Sequence, residues 1–413
     1  MSEGFAERKM LRKQRIVILS YYRFPCREVD FEYLFSEELG KQFDILFLFQ
    51  GDRQSGNIVR WRNAGILLSK KIRADNFCAR IINRILEWQK LLQLYELIRA
   101  GEAGIVFVRD LPLEALLLAR LKKFFPFLLC FQYTAPMGDI SLEAYRANKS
   151  LARAKYLVQG RLFNMLIGKA LSVCDLVFPI SEYHKETLCR FIPAEKMVAA
   201  GMGVPEDWAD KKVAPVPFLR DLKEKNFLLT YFGNMGFARE PQFMLRVLAG
   251  VIKTIPNCKL ILMGRVCDRW EEEELQAICR RLGITEHVIF TGQLDRNVLR
   301  DYLAYCDVSI CAVPPKPCFQ VMSPTKLYES LGCGIPVVAS KGIPEMEKLV
   351  RDSGGGILAD YVESAFVEGI VELLGNSDLR SAMASRGKAY VQEFCGYKPT
   401  ARKIAARLSL HRL

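Results

Sequence analysis

The sequence predicts an α/β protein made of two parallel sheets, and three observations carry that prediction. Its 413 residues exceed what a single core usually organises, so two domains of roughly 200 residues each are expected. Short apolar runs alternate with stretches of helical periodicity in two separate series, which is the rhythm of parallel strands joined by right-handed helical crossovers. Between the series, Pro205, Pro215 and Pro217 stand among mixed charges and mark a linker. The boundaries that follow are a first domain over residues 1–205, a linker over 206–225, a second domain over 226–395, and a terminal helix over 396–413.

The first series opens with residues 15–20, an apolar run that suits a buried parallel strand. A loop with Pro25 follows, at the strand end where open parallel sheets place ligands. Residues 32–40 read as a helix stopped by Gly40, and residues 43–49 as the second strand. Residues 60–100 are helical in pattern and basic, with nine Lys or Arg against three Asp or Glu. Strands follow at 104–108 and 126–133, with a helix over 113–123 between them. The exit loop of the latter strand runs from Gln132 to Gly138. Residues 144–174 hold six basic residues and no acidic one. Within them Leu151, Ala154, Val158, Leu162 and Met165 recur at helical spacing, which predicts a long helix packed along that stripe with a basic rim. Ser181 follows the next strand and is placed to cap a helix.

The second series begins with a strand at 227–232 and the glycine loop Gly233 to Arg239. Strand, glycine loop and helix make a turn suited to phosphate. The loop lacks the spacing of dinucleotide and P-loop fingerprints. Strands are expected at 259–264, with Arg265 at its exit, at 288–292, followed by Gln293, and at 307–311.

Residues 323–339 organise the rest. Pro324 opens a short helix, Gly332 and Gly334 end it, Pro336 bars its continuation, and Val337 to Ala339 form a buried strand. The helix N-terminus, at Ser323, Pro324 and Thr325, offers free N–H groups and a positive dipole end to an anion. Lys326 lies in the first turn and Glu329 one turn later on the same face. A cation for phosphate and a carboxylate for ribose hydroxyls together suit a nucleotide diphosphate.

The run from Thr325 to Ala339 resembles the donor-site signature of the retaining GT-B glycosyltransferases of family 4, the glycosyl transferases of group 1. The resemblance extends over most of residues 170–400. It implies two Rossmann-like domains facing across a cleft, with the terminal helix packing back on the first. Glu329 matches the family's second glutamate, which holds the nucleotide's ribose. The family's first glutamate falls at Val321. In the glycine loop Asn234 stands for an arginine, and Arg239 stands at the lysine position and keeps its charge. Arg239 and Lys326 are thus the expected catalytic cations. Gly233, Asn234, Arg265, Gln293, Ser323, Pro324, Thr325 and Glu329 are expected to bind the donor. Tyr133 and Asp139 are the acceptor-side candidates, because related enzymes carry an acid or histidine in that exit loop.

The implied reaction is transfer of a sugar from a UDP- or GDP-sugar to a glycan or lipid-linked acceptor, with retention, in cell-surface polysaccharide or glycolipid synthesis. Its departure from the family at Val321 motivates a rival: a catalytically silent subunit that binds a sugar nucleotide or a partner protein. No metal or other cofactor is expected, since three histidines and the absence of an Asp-x-Asp loop leave cations and helix ends to stabilise the leaving diphosphate. The net charge of +13 favours anionic partners. Nucleic acid is set aside for want of any matching motif. An anionic membrane surface stays among the expected partners, through segments 60–100 and 144–174. Thirteen scattered cysteines without a C-x-x-C pair, and no long apolar run, predict a cytoplasmic protein, to which the basic segments add attachment at the cytoplasmic face of a membrane as an expectation. The base, sugar, acceptor and oligomeric state are not legible.

Overall fold

The computed structural model describes residues 13–51, 58–70, 82, 86–148, 153–208, 212–266 and 269–411. The chain divides into two compact units, one of Met1–Met137, Leu162–Gly201 and Tyr397–Leu413, the other of Gly138–Arg161 and Met202–Gly396. Two boundaries differ from those read in the sequence. Residues 138–161, expected in the first domain, belong to the second unit. The segment 206–225 is not a free linker where it is described: Trp208 and Leu219 are buried, and Pro217–Lys223 is helical. Apolar side chains at proline-flanked positions drew that stretch into a core.

Among the described residues the first unit carries a seven-stranded sheet. Its strands are β1 (Arg15–Arg23), β2 (Asp44–Gly51), β3 (Ile58–Trp61), β4 (Ala64–Lys70), β5 (Ile105–Arg109), β6 (Leu128–Tyr133) and β7 (Leu176–Pro179). They lie in the order β3-β4-β2-β1-β5-β6-β7 and are parallel except for β3, which runs antiparallel to β4. Residues 58–70 therefore form a hairpin, where helical periodicity had been read. Ile66 and Leu68 alternate inward there, a period of two that the flanking arginines obscured. Residues 71–81 and 83–85 of the basic segment lie outside the described residues. Successive residues of β1 serve opposite cores: Ile16 and Ile18 on one face, Val17 and Leu19 on the other. The terminal helix Tyr397–Ser409 fills the first of these with Tyr397, Ala401, Ile404 and Leu408.

The helix Ala154–Val173 corrects a second expectation. Val158, Leu162 and Met165 of the predicted packing stripe are exposed, while Phe163, Ile167, Ala170 and Leu171 pack inward. Two apolar stripes occupy this helix, and the one with the aromatic residue was buried. Leu151 of the stripe lies outside the described residues.

The second unit carries β8 (Phe227–Asn234), β9 (Cys258–Arg265), β10 (Val288–Gly292), β11 (Val308–Cys311), β12 (Val337–Ser340) and β13 (Gly356–Ala359). Their order is β10-β9-β8-β11-β12-β13, parallel throughout. Both faces are again covered: Leu229 and Tyr231 join one core, Leu228 and Phe232 the other. The strand order reverses between β8 and β11, and the loops leaving those strands supply the site described next.

Candidate functional site

β8 ends in Gly233 and Asn234, paired in register with Gly264 and Arg265 of β9. Gly233 has φ +108°, and a Cβ on Gly264 would stand 1.9 Å from the Gly233 carbonyl oxygen, so this close approach requires glycine. Gly233 and Asn234 are exposed. The Asn234 side chain accepts the Gly236 N–H at 2.7 Å, which folds the loop back on itself. Arg265 is exposed, and its carbonyl accepts the Met235 N–H at 3.1 Å.

Arg239 closes the short 3₁₀ turn Phe237–Arg239. Its guanidinium lies 4.6 Å over the Phe319 ring and contacts the Met322 sulfur at 3.2 Å. Burial lowers it from its ordinary value, which an anion beside it would reverse. Lys326 lies with its ammonium 3.6 Å over the Tyr231 ring. A Cβ on Gly233 would stand 3.8 Å from that nitrogen, so the two sequence motifs meet here. Among the described residues neither Arg239 nor Lys326 forms an ion pair with a carboxylate.

The helix behind Lys326 spans Thr325–Gly332, with Pro324 at its N-cap and no side-chain cap. Ser323 is buried, and its hydroxyl accepts the Met202 N–H at 3.1 Å, which anchors the approach. At the other end the Ile335 N–H bonds to the Ser330 carbonyl at 3.0 Å and that of Gly334 to Leu331 at 2.9 Å, with Gly334 at φ +73°. That is a Schellman stop, and it needs the glycine.

Glu329 is buried on this helix. Burial pushes its carboxyl up from the usual range, against Arg296 and Lys326, which lower it. Arg296 forms the ion pair with its Oε1, and Arg296 also lies 5.0 Å over the Trp208 ring. The Trp208 indole N–H donates to the Glu329 carbonyl at 3.1 Å. A Cβ at Gly332 would come within 2.9 Å of that indole, so glycine admits it. Sequence reading missed both partners, which lie 33 and 121 positions from Glu329. Arg296 opens the helix Arg296–Leu303 after β10, so it brings to Glu329 the loop that also holds the exposed Gln293. Val321, at the first-glutamate position, is buried and apolar.

The two acceptor-side candidates fall in different units. Tyr133 is buried in the first, with its ring 4.6 Å from that of His184. Asp139 is exposed in the first turn of Met137–Ala147 and is grouped with the second. His184, unmarked by any motif, is buried and lowered by that burial to about 4. Among the described residues no three His, Cys, Asp or Glu are grouped so as to hold a metal, and no helix is long and apolar enough to cross a membrane.

Residues 218–390 match the family model of Glycosyl transferases group 1. The D-inositol 3-phosphate glycosyltransferase of Acidothermus cellulolyticus is 24% identical over 173 residues, 40% of this chain and 37% of the relative. The GDP-mannose-dependent alpha-(1-6)-phosphatidylinositol monomannoside mannosyltransferase of Mycolicibacterium smegmatis is 24% identical over 248 residues, 57% and 62% of the two chains. The chain thus matches less than two thirds of the length of either relative. Among solved structures, sucrose-phosphate synthase from Thermosynechococcus elongatus superposes with a TM-score of 0.72 at 16% identity, covering 97% of this chain and 99% of the other. Anabaena HepE, in complex with UDP and glucose, gives 0.70 at 16%, covering 96% and 100%. These likenesses establish the fold as GT-B, two Rossmann-like domains with parallel sheets.

Proposed function

We propose, from the premise that residues 218–390 are a Glycosyl transferases group 1 domain, that this protein transfers a sugar from a UDP- or GDP-sugar to a hydroxyl of a glycan or lipid-linked acceptor. One observation carries the reading. Two cations, Arg239 and Lys326, lie on aromatic rings without a carboxylate ion partner among the described residues, beside an uncapped helix N-terminus. Negative charge grows on the diphosphate as the bond from the anomeric carbon to the phosphate oxygen breaks. Preplaced cations and N–H groups stabilise that charge more than the ground state. Glu329 binds the ribose hydroxyls and transfers no proton. The acceptor hydroxyl attacks the anomeric carbon as the bond to the diphosphate oxygen breaks and passes its proton to the departing diphosphate, and retention follows the family resemblance. The two relatives are named for an inositol phosphate and a phosphatidylinositol mannoside, which supports a polyol hydroxyl on a phosphorylated or lipid-linked acceptor.

Arg239 and Lys326 fill the role of a metal in this scheme, so activity survives EDTA. Loss that Mg²⁺ or Mn²⁺ restores overturns that assignment. A thermal-shift screen over UDP-, GDP-, ADP- and CMP-sugars identifies the donor, because a ligand of the native state raises its apparent stability. The buried Val321 favours one rival, a nucleotide-binding subunit without turnover. Measured transfer or donor hydrolysis eliminates it.

A further inference from the structure

Glu240 follows Arg239 directly and holds the left-handed conformation, with φ 54° and ψ 52°. Glycine takes that conformation freely, whereas a residue with a Cβ is strained there. The strain is held in place from the side chain. Lys316 Nζ donates to Glu240 Oε1 at 2.9 Å, and the Tyr361 hydroxyl donates to Oε2 at 3.2 Å. Both donors are themselves fixed. Lys316 also pairs with Glu143 at 3.2 Å, and Tyr361 is stacked on Phe243 with ring centroids 4.3 Å apart.

The position of Lys316 gives this arrangement its meaning. Lys316 precedes the helix Pro317–Gln320, which carries Phe319, and Met322 follows two residues after that helix. Phe319 and Met322 are the two contacts of Arg239. The Lys316–Glu240 pair therefore ties the loop that presents Arg239 to the segment on which Arg239 rests. An ion pair exposed to this extent, 31% and 29% on its two side chains, contributes little to stability. Backbone strain kept beside a reacting group instead marks preorganisation.

We propose that Glu240, clamped by Lys316 and Tyr361, is a positioning residue that fixes Arg239 for the donor's diphosphate. This rests on the donor-site reading above. It acts through Arg239 and touches no substrate.

Glu240→Gly separates positioning from stability, because glycine keeps the backbone conformation without strain and removes the clamp. The expected result is an unchanged or raised Tm together with weaker binding of UDP and GDP by calorimetry. If the clamp's loss leaves Arg239 correctly posed about a tenth of the time, the apparent affinity falls about tenfold. Lys316→Met gives a similar loss, and the double variant loses no more than either single one, since both remove the same tie. Arg239→Ala is the control for the site itself. If Arg239→Ala binds as the wild type does, the donor-site reading fails and the clamp with it. If Arg239→Ala weakens binding while Glu240→Gly and Lys316→Met bind as wild type, the site stands and the clamp is wrong. Should Glu240→Gly fail to fold, Lys316→Met alone decides between these outcomes.

Discussion

Each sheet has a switch point, between β1 and β5 and between β8 and β11, and beside each a guanidinium lies over a phenylalanine. The two are treated differently. Arg109 lies 4.3 Å over Phe31 and is paired with Asp30 at 2.5 Å and Glu28 at 3.3 Å, while Gln132 donates to Asp30 at 2.9 Å. Burial works against its charge, and Asp30, Tyr22 and Glu28 outweigh that and hold it above its ordinary value. Arg239 over Phe319 has a sulfur neighbour and, among the described residues, no carboxylate ion partner. The two switch points thus hold a guanidinium neutralised by carboxylates in the first sheet, at the end of β5, and in the second, in the loop after β8, one that we propose is left for an anion. Local carboxylates decide which. A cation neutralised within the protein has nothing left for a ligand, and one without a counter-charge is completed by it.

The sharpest break of this comparison is Arg109→Met. It leaves the buried Asp30 without its counter-charge and is expected to cost about 3–5 kcal/mol of stability. Lys326→Met should change stability by only about 0.5 kcal/mol while weakening diphosphate binding and lowering kcat. Urea denaturation and calorimetry of the two variants measure both sides, and equal stabilities would end the contrast.

The difference in pH dependence of stability between wild type and Asp110→Asn tests the first unit. Burial raises the Asp110 carboxyl to about 6 despite Arg109 and the Thr134 hydrogen bonds, and lowers His184 to about 4. Asp110 binds its proton more tightly when folded. Its contribution is full below the unfolded value near 4 and is lost as pH rises through about 6. His184 binds its proton less tightly when folded. Its contribution is full above about 6.5 and is lost as pH falls through about 4. The two slopes oppose each other between pH 4 and 6.5, each on the order of 3 kcal/mol in total. Asp110→Asn should therefore expose a stability that rises with pH across that window. A flat profile in Asp110→Asn would show that His184 is not held neutral.

In the second unit, Glu329→Ala should remove charged hydrogen bonds to the ribose worth roughly 1.5–3 kcal/mol, about ten- to a hundred-and-fifty-fold in donor affinity. Glu329→Gln keeps one acceptor and should lose less. Titration of UDP or GDP into the folded variants measures this, and dissociation constants equal to wild type remove Glu329 from the site. The smallest contrast lies at two helix ends. Ser181 caps Glu182–Leu188 by accepting the His184 N–H at 2.9 Å, whereas Thr325–Gly332 has no side-chain cap. Ser181→Ala should cost about 1 kcal/mol by thermal melting, without change in nucleotide binding.

What the sequence made legible was local. The run from Pro324 to Ala339 carries its helix start, glycine stop and strand within consecutive residues, and parallel strands buried on both faces stand out as apolar runs. The hairpin at 58–70 was hidden because its inward positions alternate with Arg60, Gly65, Leu67 and Ser69, so Ile66 to Leu68 read as an unbroken apolar run and not as an alternation. The Arg296–Glu329 pair and the Trp208 contact depend on register between distant elements. The conformation of Glu240 is set by Lys316 and Tyr361, 76 and 121 positions away, and no local pattern announces it.

The terminal helix has a consequence for how the protein is made. Tyr397, Ala401, Ile404 and Leu408 complete a core whose other members leave the ribosome before residue 201. At synthesis rates of about 5–20 residues per second, that core waits roughly 10–40 seconds for its last wall. Most of the second unit emerges in the interval and is free to fold first. The nascent first unit carries an open apolar face meanwhile, which makes it the segment a chaperone would hold and a poor candidate for expression as an isolated N-terminal fragment.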